Sequence, residues 1–147
     1  MSPWLHLGQR ITRLIAPPVC ALCGASGQTL DELWGLDLCV HCESAAKPVA
    51  KACPRCGEPT EQGTQCAHCL HEPPPYDTTF CLFRYEEPAD LLITRLKFRH
   101  ELVHARVLGI LFARALRAAS WPLPQCLIPM PLHPSRYRER GFNQTLE

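Results

Sequence analysis

A chain of 147 residues with 46% hydrophobic content is too apolar for a disordered protein, and it has room for one ordinary domain or a small module plus part of a second. Its formal net charge of +1 lies far from the bulk basicity of a dedicated nucleic-acid binder and favours no class of partner. Ten cysteines leave two classes open, a secreted disulfide scaffold or an intracellular metal protein.

Residues 1–18 place Trp4, Leu7, Ile11, Leu14 and Ile15 at helical spacing, with Arg10 and Arg13 on the other face. This predicts a short amphipathic helix ended by Pro17 and Pro18. His6, Gln9 and Arg10 interrupt the continuous apolar run of roughly 7–15 residues that a signal peptide needs. The longest greasy stretch, 107–112, falls well short of the roughly 18–20 residues of a membrane span. The expectation is a soluble, cytoplasmic protein in a reducing compartment, where thiols are available for metal.

Residues 19–75 hold four Cys-x-x-Cys pairs: Cys20 with Cys23, Cys39 with Cys42, Cys53 with Cys56, and Cys66 with Cys69. That spacing lets two thiolates reach one metal from a single tight turn. Gly24 and Gly57 follow the second cysteine of the first and third pairs, where a metal-binding knuckle tends to need positive φ. The pattern CxxCG…CxHC therefore occurs twice, over 20–42 and 53–69, and an internal repeat implies that consecutive pairs share a metal. Cys20, Cys23, Cys39 and Cys42 are assigned to one ion, and Cys53, Cys56, Cys66 and Cys69 to a second. Four soft thiolates suit tetrahedral, structural zinc. Repeats of this size bury too little to fold unaided, and structural zinc contributes roughly 10–16 kcal/mol at neutral pH. An iron–sulfur cluster would accept the same donors, but the duplicated ribbon argues against it. Disulfides are disfavoured because no export signal precedes them. His41 and His68, inside the second knuckle of each repeat, would be redundant ligands and are read as facing solvent.

The run Pro73, Pro74, Pro75 predicts a stiff extended hinge. Beyond it, 78–85 is β-branched and aromatic and predicts a strand. Pro88 suits a first helical turn. Leu92, Leu96, Val103, Val107, Leu108, Leu111, Ala115 and Leu116 recur at three- and four-residue spacing, giving two helices across 89–119 with a break near His100. Residues 121–124 end the helical stretch, 126–130 reads as a short buried strand, and 131–141 as a basic loop; 141–143 could open a further helix. Cys81 and Cys126 lie alone in apolar segments and read as small hydrophobes, a catalytic cysteine being the alternative. Residues 1–83 carry 5 Lys/Arg against 8 Asp/Glu, and residues 84–147 carry 10 against 6, so the cation excess lies away from the cysteines. Ligands of open α/β sheets sit at the carboxyl ends of strands, so arginines in a loop there could hold phosphate. The same residues also read as a solvated basic turn.

The ordered pieces CALCG, CPRCGEP, EPPPYD, FRYEEP, LITRLKFRHE and IPMPLHPSRYRERGFNQ resemble the ComF (ComF/GntX-type) family. The resemblance implies an N-terminal double zinc ribbon (19–75) followed by the incomplete start of a type I phosphoribosyltransferase-like α/β domain (76–147), a small zinc-rich α+β chain overall. It implies a competence protein acting in DNA uptake and natural transformation, with single-stranded DNA and a partner helicase as partners. Arg136, Arg140, Gly141 and Asn143 would be the anion-contacting residues. The family continues to an acidic pair and a Thr-Thr-Gly turn that holds the ribose 5-phosphate of phosphoribosyl pyrophosphate. No such turn occurs here, so the resemblance implies a truncated member. Mg²⁺ and phosphoribosyl pyrophosphate are expected only in a full-length form, no catalytic residue is assigned to this chain, and whether the family's fold makes it an enzyme is left open. A plain zinc-ribbon interaction module is the other reading.

Overall fold

The computed structural model describes residues 16–29, 35–119, 122 and 124–147. All but the last three residues of the expected N-terminal helix lie outside them.

The two halves of the cysteine repeat fold alike, down to the backbone hydrogen bonds. In the first knuckle Cys20 N–H donates to Ala25 O (2.7 Å) and Gly24 N–H to Cys20 O (2.8 Å). In the third, Cys53 N–H donates to Glu58 O (2.7 Å) and Gly57 N–H to Cys53 O (2.9 Å). Gly24 and Gly57 adopt φ of 77° and 80°, the left-handed conformation their position anticipates. Antiparallel bridges Val19–Ser26 and Ala52–Pro59 close the two turns at equivalent positions. Only the first repeat extends this into a ladder, β1 (Gln28–Thr29) pairing with β2 (Gly35–Leu36). The second knuckle of each repeat opens a short helix, α1 (Val40–Ala45) and α2 (Ala67–His71). The first cysteine of each is the N-cap: Cys39 Sγ accepts from Cys42 N–H (3.4 Å), and Cys66 Sγ from Cys69 N–H (3.5 Å). A thiolate there satisfies an orphan donor and faces the positive end of the helix.

The triple-proline run is tied down at its middle and just beyond its end. Arg55, inside the third knuckle, donates from Nε to Tyr76 O (3.1 Å) and from Nη2 to Pro74 O (3.2 Å). Thr78 Oγ1 donates to Pro54 O (2.8 Å) and Thr79 Oγ1 to Arg55 O (2.7 Å). The expected hinge is thus a strap bound to the second repeat. The strand expected over 78–85 reduces to one antiparallel bridge, Phe83 with Pro48. Pro48 has no N–H to continue a ladder, and the Thr78 and Thr79 side chains are bonded to the knuckle.

Two helices follow, α3 (Ala89–Arg99) and α4 (Val103–Ala118). His100 breaks them as expected, taking φ 60° and donating its N–H to Arg95 O. The helices pack on each other and on the first ribbon, where Cys20, Leu36, Leu38 and Cys39 share one core with Leu92, Val107 and Leu111. Phe80 of the strap meets Phe112 of α4 edge to face, 5.4 Å between centroids.

The C-terminal segment departs from its reading in three ways. Residues 126–130 form no strand and are exposed, Leu127 at 84%, Ile128 at 86% and Met130 at 72%. No strand lies beside them among the described residues, and Pro129 and Pro131 lack the N–H groups a ladder would use. Cys126 is likewise exposed rather than packed. The expected basic loop holds a helix, α5 (Pro134–Arg140), with Pro at its start, His133 as N-cap and Gly141 at φ 76° as C-cap. Residues 144–146 form a turn rather than a further helix, Leu146 N–H donating to Asn143 O at 2.9 Å.

Gly24 and Gly57 allow a matched test of knuckle packing. A Cβ at Gly24 would meet nothing within 4 Å, whereas one at Gly57 would overlap Cys81 Sγ and approach Thr79 Cγ2 to 3.3 Å. Gly24→Ala carries backbone strain alone. Gly57→Ala adds a clash, and is expected to cost about 1–3 kcal/mol more in denaturant unfolding of the zinc-loaded protein, with Cys81→Ala recovering part of the difference.

Candidate metal centres and basic face

The four thiols of Cys20, Cys23, Cys39 and Cys42 lie within 4.8 Å of one another, as do those of Cys53, Cys56, Cys66 and Cys69. The grouping is the serial one that the repeat implies. Tetrahedral zinc with bonds of about 2.3 Å requires sulfur–sulfur edges of about 3.8 Å. Cys23 and Cys39 Sγ stand 3.7 Å apart, and Cys56 and Cys66 Sγ also 3.7 Å. Both donor sets therefore fit two structural zinc ions. His41 and His68 are exposed beside them, as expected of knuckle residues.

Each cluster pushes its thiols apart in acidity. Burial disfavours the thiolate at Cys20, yet backbone N–H groups of Cys23, Cys39 and Leu22 bring its pKa down to about 6. Cys53 behaves identically, burial opposed by the N–H groups of Cys56, Cys66 and Arg55, and also settles at about 6. Burial first, then hydrogen bonds from neighbouring thiols and the charge on Cys53, push Cys69 up to about 12. Cys42 rises for the same reasons, with Cys20 as the charged neighbour. One buried cysteine in each set is thus ready as a thiolate, and a cation of charge +2 is what allows the others to follow.

The two centres differ in what surrounds them. Three arginines from the helices close on the first ribbon. Arg95 of α3 donates from Nη1 to Ala21 O inside the first knuckle (2.9 Å). Arg106 of α4 donates from Nη2 to Gly35 O (3.2 Å) and lies 3.6 Å from Asp37 Oδ2. Arg114 pairs with Glu43 of α1 at 3.2 Å, and Gln28 Nε2 donates to the other oxygen of the same carboxylate. Cys20 and Cys39 belong to the core shared with α3 and α4, whereas Cys53 and Cys69 do not. The contact from Arg95 spans 74 positions of chain, and no local pattern in the sequence signals it.

The residues expected to contact anions are brought near one another but are partly committed. Arg136 and Arg140 lie four apart on α5, with Arg138 between them. Arg136 pairs with Glu139 at 2.9 Å, and Arg140 donates to Gln144 Oε1 while its guanidinium sits 5.8 Å from the centroid of the Phe98 ring. Gly141 is the helix cap. Asn143 is buried and internal to the fold, Nδ2 donating to Met130 O (3.0 Å) and Oδ1 accepting from Thr145 N–H and Oγ1. His100 and Phe142 meet edge to face at 5.8 Å. Together these contacts set α5 against the end of α3, bringing the Arg140 guanidinium and the Phe98 ring onto one face. Phe98 and Tyr137 are exposed on it, at 68% and 51%.

Comparison with known proteins agrees with the double ribbon. Residues 11–70 match the model of the double zinc ribbon domain. The DNA utilization protein YhgH of Escherichia coli O157:H7 is 36% identical over 140 residues, covering 90% of this chain and 59% of its own length. The Salmonella typhi protein of the same name is 33% identical over 137 residues, with the same coverage. Competence protein F of Haemophilus influenzae is 34% identical over 112 residues, covering 73% of this chain and 48% of its own. The chain thus spans about three-fifths of the length of the first of these relatives. No solved structure matches it. Among the described residues, no helix is long and apolar enough to cross a membrane.

Unequal surroundings predict unequal consequences of losing each metal. Cys39→Ser and Cys66→Ser should each lower the zinc count by one in native mass spectrometry. Only Cys39→Ser should speed amide hydrogen exchange across α3 and α4, by roughly tenfold or more, because the core of these helices rests on the first centre.

Proposed function

The chain is a ComF-type homologue of the DNA utilization protein YhgH and competence protein F, built on a double zinc ribbon, and on that premise we propose that it handles single-stranded DNA during uptake, in the cytoplasm. Cys20, Cys23, Cys39, Cys42, Cys53, Cys56, Cys66 and Cys69 hold two zinc ions that are scaffold rather than chemistry. The strand is bound on the face where α5 meets the end of α3. The observation that carries this is the Arg140 guanidinium over the exposed Phe98 ring, with Tyr137 exposed one turn earlier on α5. Cations track the phosphates of a single strand, and aromatic faces stack its bases without reading their sequence.

Arg136, although paired with Glu139, is exposed on the same helix and within reach of a competing phosphate. Residues 76–147 act in this reading as the supporting part of a phosphoribosyltransferase-like domain. The chain order of extended segment, two helices, extended segment and arginine-bearing helix supports it. No phosphoribosyl chemistry is assigned to them.

Contact with a partner protein such as a helicase is the second reading, favoured by the exposed apolar residues Leu127, Ile128 and Met130. Ile128→Asp should weaken such a contact and leave oligonucleotide affinity unchanged.

Binding of a fluorescent (dT)20 oligonucleotide across a salt series tests the main reading. Each phosphate contact contributes about 0.7 to the slope of log affinity against log salt on a single strand. Arg136→Gln, Arg138→Gln and Arg140→Gln together should flatten the slope by about 2 while two zinc ions remain bound. A salt-independent response of the unmodified protein would overturn the assignment to DNA.

A further inference from the structure

The ribbon half of the chain is acidic, and two tetrathiolate zinc centres would make it more so, each adding a charge of about −2. Its few cations are nevertheless not scattered. Residues 1–83 contain five, of which Arg10 and Arg13 lie outside the described residues and Arg55 is bonded to the proline strap. The remaining two, Lys47 and Lys51, line one cleft of about 540 Å³, and Arg84 of the strap joins them there.

The backbone that carries these side chains is fixed. Phe83 bridges Pro48, and Arg84 N–H donates to Lys47 O at 3.0 Å, which sets Lys47 and Arg84 on adjacent strands of chain. Ala52 bridges Pro59, and Thr60 N–H donates to Lys51 O at 3.2 Å, which sets the opposite wall. Lys47 is 3.3 Å from Glu86, and Glu61 also lines the cleft. Lys51 and Arg84 make no side-chain ion pair or hydrogen bond among the described residues, and the Thr60 hydroxyl stands in the same wall without a partner. A second cleft of about 370 Å³ shares Val49, Pro59 and Arg84 with the first and carries the groove on to Tyr85, a residue 69% exposed.

We propose that this groove, formed by the linker after the first ribbon, the second ribbon and the strap, is a second, separate contact for single-stranded nucleic acid, in which Lys47, Lys51 and Arg84 hold consecutive phosphates and Tyr85 stacks a base. Two cations of the acidic half gathered with Arg84, over a proline-lined floor and ending at an open aromatic ring, match a phosphodiester strand. An acidic peptide would use the cations but leave the ring idle. The proposal rests on the DNA-handling reading above and adds a place to it. It gives the ribbons a share in binding that the face of α3 and α5 does not require.

The test uses the zinc-loaded chain and anisotropy of labelled (dT)20 and of an abasic strand of equal length. Lys51→Gln with Arg84→Gln, which breaks no ion pair, should flatten the salt slope by about 1.4. Adding Lys47→Gln should flatten it by about 2 in all. Tyr85→Ala should weaken (dT)20 roughly tenfold and leave the abasic strand unchanged. If these variants bind as the unmodified protein does while the α5 arginine variant loses affinity, the groove is not a contact and the α3–α5 reading stands. If the unmodified protein shows no salt-dependent binding, both readings fall together. Equal loss on the abasic strand for Tyr85→Ala, or equal competition by poly-glutamate, would overturn the assignment to a nucleic-acid strand.

Discussion

Cys20 and Cys39 each belong to two structures at once, and the rest of the molecule follows from that. Their sulfurs are corners of the first tetrathiolate set, and the same side chains are buried in the core with Leu36, Leu38, Leu92, Val107 and Leu111. A ribbon of some 25 residues cannot bury enough apolar surface to offset its own ordering entropy, and a two-helix hairpin is little better placed. Joined through the metal ligands they share one core. The metal orders the ribbon, the ribbon presents Leu36 and Leu38, and the hairpin covers them.

The second centre has a different dependence. Its thiols are equivalent in spacing and Cys53 matches Cys20 in acidity, but none of them lies in that core. What packs on it is extended chain: the proline strap held by Arg55, Thr78 and Thr79, and Cys81 against Gly57. Proline suits this role. A strap with fixed φ has less entropy to lose on being tied down, and its missing N–H groups leave fewer donors to satisfy. The two repeats are therefore alike as metal sites and unlike as supports, one for helices and one for a strap that leads the chain back to them.

Legibility in the sequence followed the range of the interaction. The knuckles could be read because Cys-x-x-Cys followed by Gly is a local statement, and the duplication told which pairs go together. The break at His100 and the two helices were local as well. The strand expected at 78–85 failed because β-propensity describes a residue that fits a sheet, not whether an edge exists for it, and Pro48 offers no edge. Helix α5 was missed although its start and stop signals, Pro134 and Gly141, stood in the sequence; the run of arginines between them was read as loop chemistry. The contact from Arg95 to Ala21 spans 74 positions, and no pattern within a window can announce it.

That contact also decides how the positive charge of the second half is distributed. The ten cations there, three of them on α5, do not form one continuous patch. Instead Arg95, Arg106 and Arg114 turn toward the ribbon, to Ala21, Gly35, Asp37 and Glu43. They bond neutral carbonyls as readily as carboxylates, and they stand beside a centre that carries about two negative charges once metal is bound. A guanidinium between that charge and the helices holds the two parts together and screens one from the other. Arg99 at the end of α3 and Arg136 and Arg138 on α5 are left exposed. The same electrostatics that fastens the helices to the metal centre thus selects which arginines remain for a ligand, so the scaffold and the binding face are set by one division of charge.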